Sequence, residues 1–278
     1  MNPVARALWF IEHRSASDLT LEDIATGVGV SRFHLSRAFA AATGYPIMRY
    51  LRGRRLSVAA GRLASGTDDI LSVAIAAGYG SHEAFTRAFR DQFGITPETI
   101  RKRRHVENVA LIEGIAMNEK SPTQLTPPRF ENGKLLYLAG LAERYACETS
   151  GAGIPGQWQK LGPYLGHLEG QVGTAAYGVT YNTDEEGNMD YLCGVEVADF
   201  ARLPAGFARL RVAAQKYAVF VHRGHVSGIR GTWAAIWDDW LPQSGHEAAD
   251  APVFERYDER FDPRTGNGEV EIWIALAH

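Results

Sequence analysis

The sequence contains little cysteine, and its cysteines are isolated from each other. Only two occur in 278 residues, Cys147 and Cys193, and they lack the spacing that a zinc or iron–sulfur site needs. A secreted domain held together by disulfides is therefore not favoured, and we expect a reduced, cytoplasmic chain. We predict neither a metal ion nor another cofactor.

Long hydrophobic runs are also absent. No apolar stretch approaches the roughly 18–20 residues of a membrane-spanning helix, and residues 109–117 are interrupted by Glu113. The first ten residues do not resemble a secretory signal, so we expect no membrane partner. Hydrophobic residues make up 45% and charged residues 22% of the chain, which excludes disordered, collagen-like and coiled-coil classes. The length fits two globular domains.

Motifs that carry common catalytic chemistry are missing. The chain has no H-E-x-x-H, Walker or G-x-S-x-G sequence. Residues 151–156 spell G-x-G-x-x-G, but only a poor strand precedes them and no parallel βαβ unit follows, so a flexible turn is expected. His222 and His225 are predicted to lie on opposite faces of a strand end, which is poor metal geometry. These patterns do not indicate an enzyme.

Charge is unevenly distributed along the chain. Residues 1–107 contain 15 Lys and Arg against 10 Asp and Glu, a balance of +5. Residues 108–278 contain 14 against 22, a balance of −8, which leaves the whole chain at −3. A basic part joined to an acidic part indicates two tasks, the first directed at a polyanion.

The first hundred residues contain an internal repeat. Six identities recur at an offset of fifty: Ser31, Arg37, Ala38, Phe39, Gly44 and Arg54 reappear as Ser81, Arg87, Ala88, Phe89, Gly94 and Arg104. A repeat at one fixed offset indicates the same supersecondary unit built twice.

Each unit is predicted to be two helices around a tight turn. In the second unit Gly78 and Gly80 form the bend, Ser81 caps the second helix and Gly94 ends it. The first unit has the same pattern around Ser31. A glycine-bent helix pair of this size is typical of a helix-turn-helix unit.

The second helix of each unit has a predicted inner, apolar face and an outer, polar one. The outward residues are Arg32, Phe33, Ser36 and Arg37 in the first unit and His82, Glu83, Thr86 and Arg87 in the second. Such side chains suit base edges and phosphates in a major groove that admits one helix. A generic helical bundle with a basic surface is the alternative, and Ser36 is equally explained as a solvated residue.

Residues 19–104 resemble the DNA-binding domain of the AraC/XylS family of transcription regulators. The matching positions are Ile24, Ala25, residues 31–39, Gly44, Tyr50, Leu51, Arg55, Leu56, Ile70, Val73, Ala74, Gly78, Tyr79, Phe85, residues 87–89, Gly94, Thr96, Pro97 and Arg101. The resemblance implies two helix-turn-helix units joined by a long helix over residues 47–63. It also implies that the outward residues contact double-stranded promoter DNA, and that RNA polymerase is a partner. Glu83 departs from the neutral polar residue common in the family, and either accepts a hydrogen bond from cytosine or is solvated.

The second half of the chain changes from helical to alternating periodicity. We predict a linker over residues 108–126 that begins helically, then a domain over residues 127–278. Strand-like runs cover residues 135–141, 175–181, 192–197, 206–212, 217–222, 253–257 and 270–276, and helical stretches cover 157–168 and 229–241. The predicted fold is therefore an all-α N-terminal domain, residues 1–107, and an α+β C-terminal domain. Its antiparallel sheet is repeated about a pseudo-two-fold and carries two helices.

The second of these helices is rich in tryptophan. Trp233, Trp237 and Trp240 share its apolar face, with Asp238 and Asp239 on the polar, solvated side. Core packing and the wall of a ligand cleft are both open interpretations. Candidate cleft residues on nearby strands include Tyr177, Tyr181, Tyr257 and Trp273. An aromatic cleft around one buried carboxylate suits a hydrophobic cation.

Residues 127–276 resemble the GyrI-like small-molecule-binding domain. The resemblance is carried by residues 252–257, 269–276 and 215–224 and the tryptophan helix. It implies a small-molecule effector held by a glutamate, which matches Glu255, with Glu271 as the second candidate. An AraC-type domain followed by a GyrI-like domain is the architecture of Rob-like regulators.

Three hypotheses for the second domain follow. The leading one is a sensor of a small, hydrophobic or cationic effector. The second is a hydrolase acting on an electrophilic compound, with Glu255 and Tyr257 or Tyr181 as an acid–base set. The third is a module that docks another protein and holds no ligand.

Overall fold

The computed structural model describes residues 2–14, 19–66, 68–115, 125–184 and 186–277, with residues 147–149 described by their backbone alone. The chain divides into two compact units, Met1–Leu35 with Pro46–Asn118 and Ser36–Tyr45 with Glu119–His278. None of the described helices is long and apolar enough to cross a bilayer. The domain boundaries expected from the sequence stay predictions, and residues 116–124 of the expected linker lie outside the described residues.

The N-terminal part of the chain is helical. Its helices are α1 (Pro3–Arg14), α2 (Leu21–Val28), α3 (Arg32–Thr43), α4 (Ile47–Ser65), α5 (Ile70–Ala76), α6 (His82–Phe93) and α7 (Pro97–Arg103). The pairs α2–α3 and α5–α6 are the two repeated units, and α4 is the long helix between them. Helix α1 adds to the prediction: Val4, Ala7, Leu8 and Ile11 recur at helical spacing and are buried.

The turn chemistry of the repeat forms as its residues dictate. Ser31 Oγ accepts a hydrogen bond from the backbone N–H of His34 at 3.2 Å, and Ser81 Oγ accepts one from Ala84 at 3.1 Å. Each serine satisfies a backbone donor that the first turn of a helix leaves free. Gly94 ends α6 in the left-handed region, at φ 70°.

Residues 109–115, which we call the docked segment, are not helical; the prediction of a helical start to the linker is wrong here. The segment lies along α4 instead. The N–H of Ile112 donates to Ser57 Oγ at 2.9 Å, and Arg54 Nη1 donates to the Ile112 carbonyl at 2.7 Å. Side chains of α4 therefore satisfy the backbone groups that a helix would have paired internally.

The second unit contains an antiparallel sheet. Its strands are β1 (Arg129–Asn132), β2 (Leu136–Ala146), β3 (Gln171–Tyr181), β4 (Asn188–Val197), β5 (Ala208–Val212), β6 (Lys216–His225), β7 (Val253–Tyr257), β8 (Phe261–Asp262) and β9 (Asn267–Ala275). The strand order is β1-β6-β9-β7-β3-β4-β2-β5, with β8 on β9. The short strands β1 and β8 add to the predicted set.

Helices interrupt the sheet in two corresponding places. They are α8 (Cys147–Leu161), α9 (Ile229–Ala235) and α10 (Leu241–Ser244), with a π-helical turn, Ile236–Trp240, between the last two. The order β2-α8-β3-β4 is followed by β6-α9-β7-β9, and the two halves meet at the β3–β7 pair. The predicted α+β domain with a repeated antiparallel sheet is confirmed.

Helix α8 includes the G-x-G-x-x-G residues 151–156, so the prediction of a flexible turn there is wrong. The helix is fixed to the sheet by Gln157, whose Nε2 donates to the carbonyls of Leu141 at 2.8 Å and Tyr191 at 3.1 Å. This packing outweighs the low helix propensity of glycine and proline.

The π-helical turn corrects a second expectation. Asp238, predicted to be solvated, is only 7% exposed. An extra residue in the turn rotates the side chains that follow relative to a regular α-helix. Burial, and then the charge of Asp239, raise the pKa of Asp238 to about 7.

Candidate functional site

Helix α6 presents an exposed polar face. Glu83, Arg87 and Arg90 are exposed and lie one turn apart in succession, so they share this face. Hydrogen bonds from its own backbone N–H and from Ser81 hold the pKa of the Glu83 carboxyl below its ordinary value, so this carboxylate interacts with the start of the helix. Arg90 was missed by the sequence reasoning, and its spacing of seven from Glu83 is the signal that identifies it.

The other two candidate residues of α6 are less accessible. His82 Nε2 lies 3.1 Å from Glu98 Oε1, and both side chains are partly exposed. Thr86 Oγ1 is buried and makes no hydrogen bond with any residue that the structure describes. A base contact by Thr86 therefore requires its hydroxyl to become exposed.

The candidate DNA-binding residues on α3 differ in exposure and in the groups that they contact. Arg32 is exposed and its Nε lies 3.1 Å from Glu22 Oε2, while Phe33 and Ser36 are half-buried. Arg37 belongs to the second compact unit, where its guanidinium carbon lies 5.9 Å from the centre of the Trp237 ring. Burial lowers the pKa of Arg37 to about 10, so it keeps its charge at neutral pH. DNA contact by these residues stays a prediction.

Glu255 lies at the centre of the sheet in the second unit. Its Oε1 accepts a hydrogen bond from Trp233 Nε1 at 2.8 Å, and its Oε2 accepts one from the Tyr257 hydroxyl at 2.7 Å. The ring of Trp237 is stacked on that of Trp233, with centroids 6.5 Å apart. The structure therefore brings together four of the predicted ligand residues.

Burial raises the pKa of the Glu255 carboxyl, although the hydrogen bonds from Trp233 and Tyr257 and the charge of His222 oppose this effect. Both hydrogen-bond donors are neutral. Among the described residues, no Lys, Arg or His nitrogen lies within ion-pair distance of Glu255. The half-buried carboxylate is thus partly removed from water without a cationic partner, which is a costly arrangement for a charged group.

The other four predicted ligand residues lie elsewhere. Alternate residues of a strand point to opposite faces of a sheet, and Gly178 pairs with Glu255 across the β3–β7 pair. The face opposite Glu255 therefore carries Tyr177, Tyr181, Glu271 and Trp273. There Tyr177 belongs to an apolar cluster on which Tyr181 and Trp273 pack.

Glu271 is surrounded by arginines. Its carboxylate accepts hydrogen bonds from Arg129 at 2.8 Å, Arg260 at 2.6 Å and Arg256 at 3.2 Å, as well as from Trp273 Nε1 at 3.1 Å. Burial favours the neutral acid, but these hydrogen bonds outweigh it and hold the pKa of Glu271 below its ordinary value. The chain itself therefore neutralises this glutamate.

The part of the chain that contains the sheet matches a known family. Residues 126–277 match the GyrI-like small molecule binding domain. The chain belongs to the GyrI-like family. Residues 24–103 of this GyrI-like protein match a helix-turn-helix domain, which covers both repeated units. It therefore joins an AraC-type N-terminal domain to a C-terminal GyrI-like domain, as predicted.

Two relatives match the GyrI-like protein over almost its whole length, and a third matches about half of it. It is 23% identical over 273 residues to Transcriptional regulator Rob of Salmonella typhimurium, which covers 95% of this chain and 93% of that one. It is 24% identical over 279 residues to Right origin-binding protein of Escherichia coli K12, with coverage of 97% and 94%. Over 134 residues it is 31% identical to Transcriptional regulator BrlR of Pseudomonas aeruginosa, with coverage of 48% and 49%. The predicted Rob-like architecture is confirmed.

The GyrI-like domain contributes further residues to the Glu255 face that the sequence reasoning missed. Trp158 on α8 donates through Nε1 to the Tyr191 hydroxyl on β4 at 3.0 Å. Its ring packs edge-on against Tyr257, with centroids 5.1 Å apart. The repeat of the two halves was the signal for Trp158. Each half has one helical tryptophan that donates to a side chain of the sheet, Trp158 to Tyr191 and Trp233 to Glu255.

Groups that bind metal are not clustered in the part of the chain that the structure describes. No set of three or more His, Cys, Asp or Glu side chains that could hold a metal ion occurs among the described residues. His222 is hydrogen-bonded through Nδ1 to Thr232 Oγ1 at 2.8 Å and through Nε2 to the His225 carbonyl at 3.1 Å. Both ring nitrogens are therefore engaged within the fold.

Proposed function

We propose that this protein is a transcription regulator that binds double-stranded promoter DNA through both helix-turn-helix units and senses a small hydrophobic cation at Glu255. The DNA-binding part is supported by the family and by relatives named as transcriptional regulators. The effector part depends on one observation: Glu255 is half-buried with two neutral hydrogen-bond donors and no cationic partner among the described residues, whereas Glu271 has three arginines.

A bound cation would supply the charge that the fold withholds from Glu255. Burying an isolated carboxylate is expensive, and pairing it with an opposite charge offsets much of that cost. The indole and phenol rings of Trp233, Trp158 and Tyr257 add attraction, since a cation over an aromatic face gains about 0.5–2 kcal/mol. The chemistry thus favours a hydrophobic monocation over a neutral or anionic compound.

The effector proposal is tested with two probes of nearly equal size and shape but opposite charge, tetraphenylphosphonium and tetraphenylborate. Isothermal titration calorimetry on the full chain should show binding of the phosphonium alone. Glu255→Gln keeps the size of the side chain and removes its charge, so affinity should fall at least about tenfold, or about 1.4 kcal/mol. Glu259→Gln, at an exposed position nearby, is the matched control and should bind as the unaltered protein does.

Two results would contradict the effector proposal. One is equal binding of the borate and the phosphonium, which would indicate a merely greasy surface. The other is unchanged phosphonium affinity in Glu255→Gln.

The DNA-binding proposal is tested on a duplex enriched by the protein from a random library. Arg87 is exposed on α6, and Arg87→Ala should cost about 1–3 kcal/mol of specific binding if it reads a base. Arg264→Ala, an exposed arginine of the second unit, should leave the affinity unchanged. Affinity should also fall steeply with salt, because phosphate contacts release counterions. Equal footprints for all three proteins would count against Arg87.

RNA polymerase is the protein partner proposed at the promoter, and the cytoplasm is the proposed site of action. In vitro transcription with purified polymerase from a promoter carrying the enriched sequence tests the partner. A change in transcript yield that Arg87→Ala abolishes would support it, and no change would refute it.

A second function, hydrolysis of an electrophilic small molecule, is favoured by the Glu255 carboxyl with its raised pKa, 2.7 Å from the Tyr257 hydroxyl. A carboxyl with a raised pKa keeps its proton to a higher pH than an ordinary glutamate and can donate it as a general acid. Incubation with an aryl epoxide, followed by chromatography of the diol, tests it. Turnover that Glu255→Gln abolishes would favour the hydrolase, while binding without turnover would favour sensing.

A further inference from the structure

Gly178 lies directly opposite Glu255 in the β3–β7 pair and is buried. A methyl group built at its Cα would lie 2.2 Å from the Tyr191 hydroxyl oxygen, 3.1 Å from Tyr191 Cζ and 3.2 Å from Glu255 Oε2. Real Cβ atoms essentially never approach another atom as closely as the first of these distances. The space that a side chain at position 178 would fill is therefore occupied by the Tyr191 hydroxyl, beside the Glu255 carboxylate.

Tyr191 is not free to move aside. It is 4% exposed, and its ring belongs to a buried cluster with Tyr145, Leu161 and Cys193. Its hydroxyl accepts the hydrogen bond from Trp158 Nε1, and its carbonyl accepts one from Gln157 Nε2. Because both ends of the residue are held, a side chain at position 178 must displace Glu255 or break these contacts.

Backbone conformation gives no separate reason for glycine at this position. The φ of Gly178 lies outside the left-handed region that favours glycine, and β3 pairs regularly with β4 and β7 around it. Position 178 therefore requires glycine because a side chain there has no space above the sheet: it would lie next to both the Tyr191 hydroxyl and the Glu255 carboxylate.

We infer that Gly178 and Tyr191 are a coupled pair of positioning residues for the effector site: the absent side chain of the first admits the hydroxyl of the second into the space beside Glu255. The inference rests on the proposed function, since it assigns these residues to the same site. A cationic ligand then meets a carboxylate held from several directions, at the cost of a smaller space beside it.

A double-mutant cycle tests the pairing, with tetraphenylphosphonium as the probe and the full chain as the protein. Gly178→Ala alone should lower phosphonium affinity at least about tenfold. In a Tyr191→Phe background the same change should cost less than about twofold, because removal of the hydroxyl oxygen eliminates the 2.2 Å approach and leaves only those of 3.1 Å to the Tyr191 ring and 3.2 Å to Glu255 Oε2. Additive effects of the two substitutions would overturn the inference.

A general loss of structure is distinguished from this effect by two further measurements. Tyr191→Phe alone should weaken phosphonium binding about threefold, because the hydroxyl no longer fills the space beside Glu255, and this variant remains informative even if Gly178→Ala does not fold. Gly178→Ala should bind the enriched DNA as the unaltered protein does. Unchanged phosphonium affinity in Tyr191→Phe, or in a folded Gly178→Ala, would refute the pairing.

The failure of this inference is separable from that of the proposed function. If the unaltered protein does not bind tetraphenylphosphonium, the effector proposal fails first, and the pairing fails with it. If the unaltered protein binds and Glu255→Gln does not, but the cycle is additive, only the coupling of Gly178 to Tyr191 is wrong.

Discussion

Two glutamates in one sheet, Glu271 buried and Glu255 half-buried, illustrate how neighbours decide what a carboxylate does. Glu271 is 3% exposed and has three guanidinium groups within hydrogen-bond distance. Glu255, on the other face, has only an indole and a phenol. The same residue type therefore closes an ion-pair network in one position and leaves a negative charge open to a ligand in the other.

This contrast predicts opposite effects on stability. Glu271→Gln should destabilise the second unit by about 1–3 kcal/mol, because a buried carboxylate loses its charge-assisted hydrogen bonds to three partly exposed guanidinium groups. The free energy of unfolding of Glu255→Gln should increase relative to that of the unaltered protein as the pH rises above 4.5, the ordinary pKa of a glutamate. The reason is that the raised pKa makes ionisation easier in the unfolded chain than in the folded one.

Urea denaturation at pH 5 and pH 8, followed by tryptophan fluorescence, measures both effects. Glu259→Gln is again the control. A Glu255→Gln protein that loses stability relative to the unaltered chain as the pH rises would show that the carboxylate is already compensated within the fold.

Residue alternation indicated which side chains share a face within a strand, but not how strands match across the sheet. It correctly groups Glu255 with Tyr257, which are hydrogen-bonded. Tyr177 and Tyr181 were grouped with them because they are aromatic, yet the register that pairs Gly178 with Glu255 puts both tyrosines on the opposite face. Register depends on contacts distant in sequence, and a single strand does not encode it.

At the scale of elements, α4 does more than connect the two helix-turn-helix units. Its Ser57 side chain is 6% exposed and holds the docked segment by accepting from the N–H of Ile112. Arg54 holds the same residue through its carbonyl and also bonds to Glu12 on α1. Helix α4 thus fixes both the docked segment and helix α1.

Ser57→Ala should release the docked segment. Loss of the acceptor leaves the N–H of Ile112 without its partner, at a cost of about 1–2 kcal/mol. Hydrogen exchange of the Ile112 amide, followed by mass spectrometry, should then accelerate. Val58→Ala changes the next residue of α4, which is 50% exposed, and should leave the exchange rate unaltered; equal acceleration in both variants would indicate general loosening of α4.

Elements whose signals are local were the easiest to predict. The Ser81 cap and the Gly94 terminator act within a few residues, so the repeated helix pairs could be derived from the sequence. Helix α8 could not, because residues 151–156 disfavour a helix, and contacts distant in sequence, from Gln157 to β2 and β4 and from Trp158 to Tyr191, secure it. The π-helical turn was missed for a similar reason, since regular spacing carries no sign of one extra residue.

At the scale of the whole molecule, the uneven charge of the chain follows its two family matches. The basic first part contains the helix-turn-helix match and the acidic second part contains the GyrI-like match. Alignment with Rob over 95% of this chain indicates that the two parts belong to one functional protein. A regulator of this kind requires that occupancy of one site alters the affinity of the other.

The effect of phosphonium on DNA binding must equal the effect of DNA on phosphonium binding. If tetraphenylphosphonium changes the Kd for the enriched DNA by some factor, saturating DNA must change the Kd for the phosphonium by the same factor. Fluorescence anisotropy of the DNA and calorimetry of the phosphonium measure the two factors independently. Glu255→Gln should retain DNA binding and lose its response to the phosphonium, whereas Arg87→Ala should bind DNA more weakly and keep its phosphonium affinity. A phosphonium that binds at Glu255 without altering the DNA affinity at all would refute sensing, because binding with equal strength to both states shifts neither.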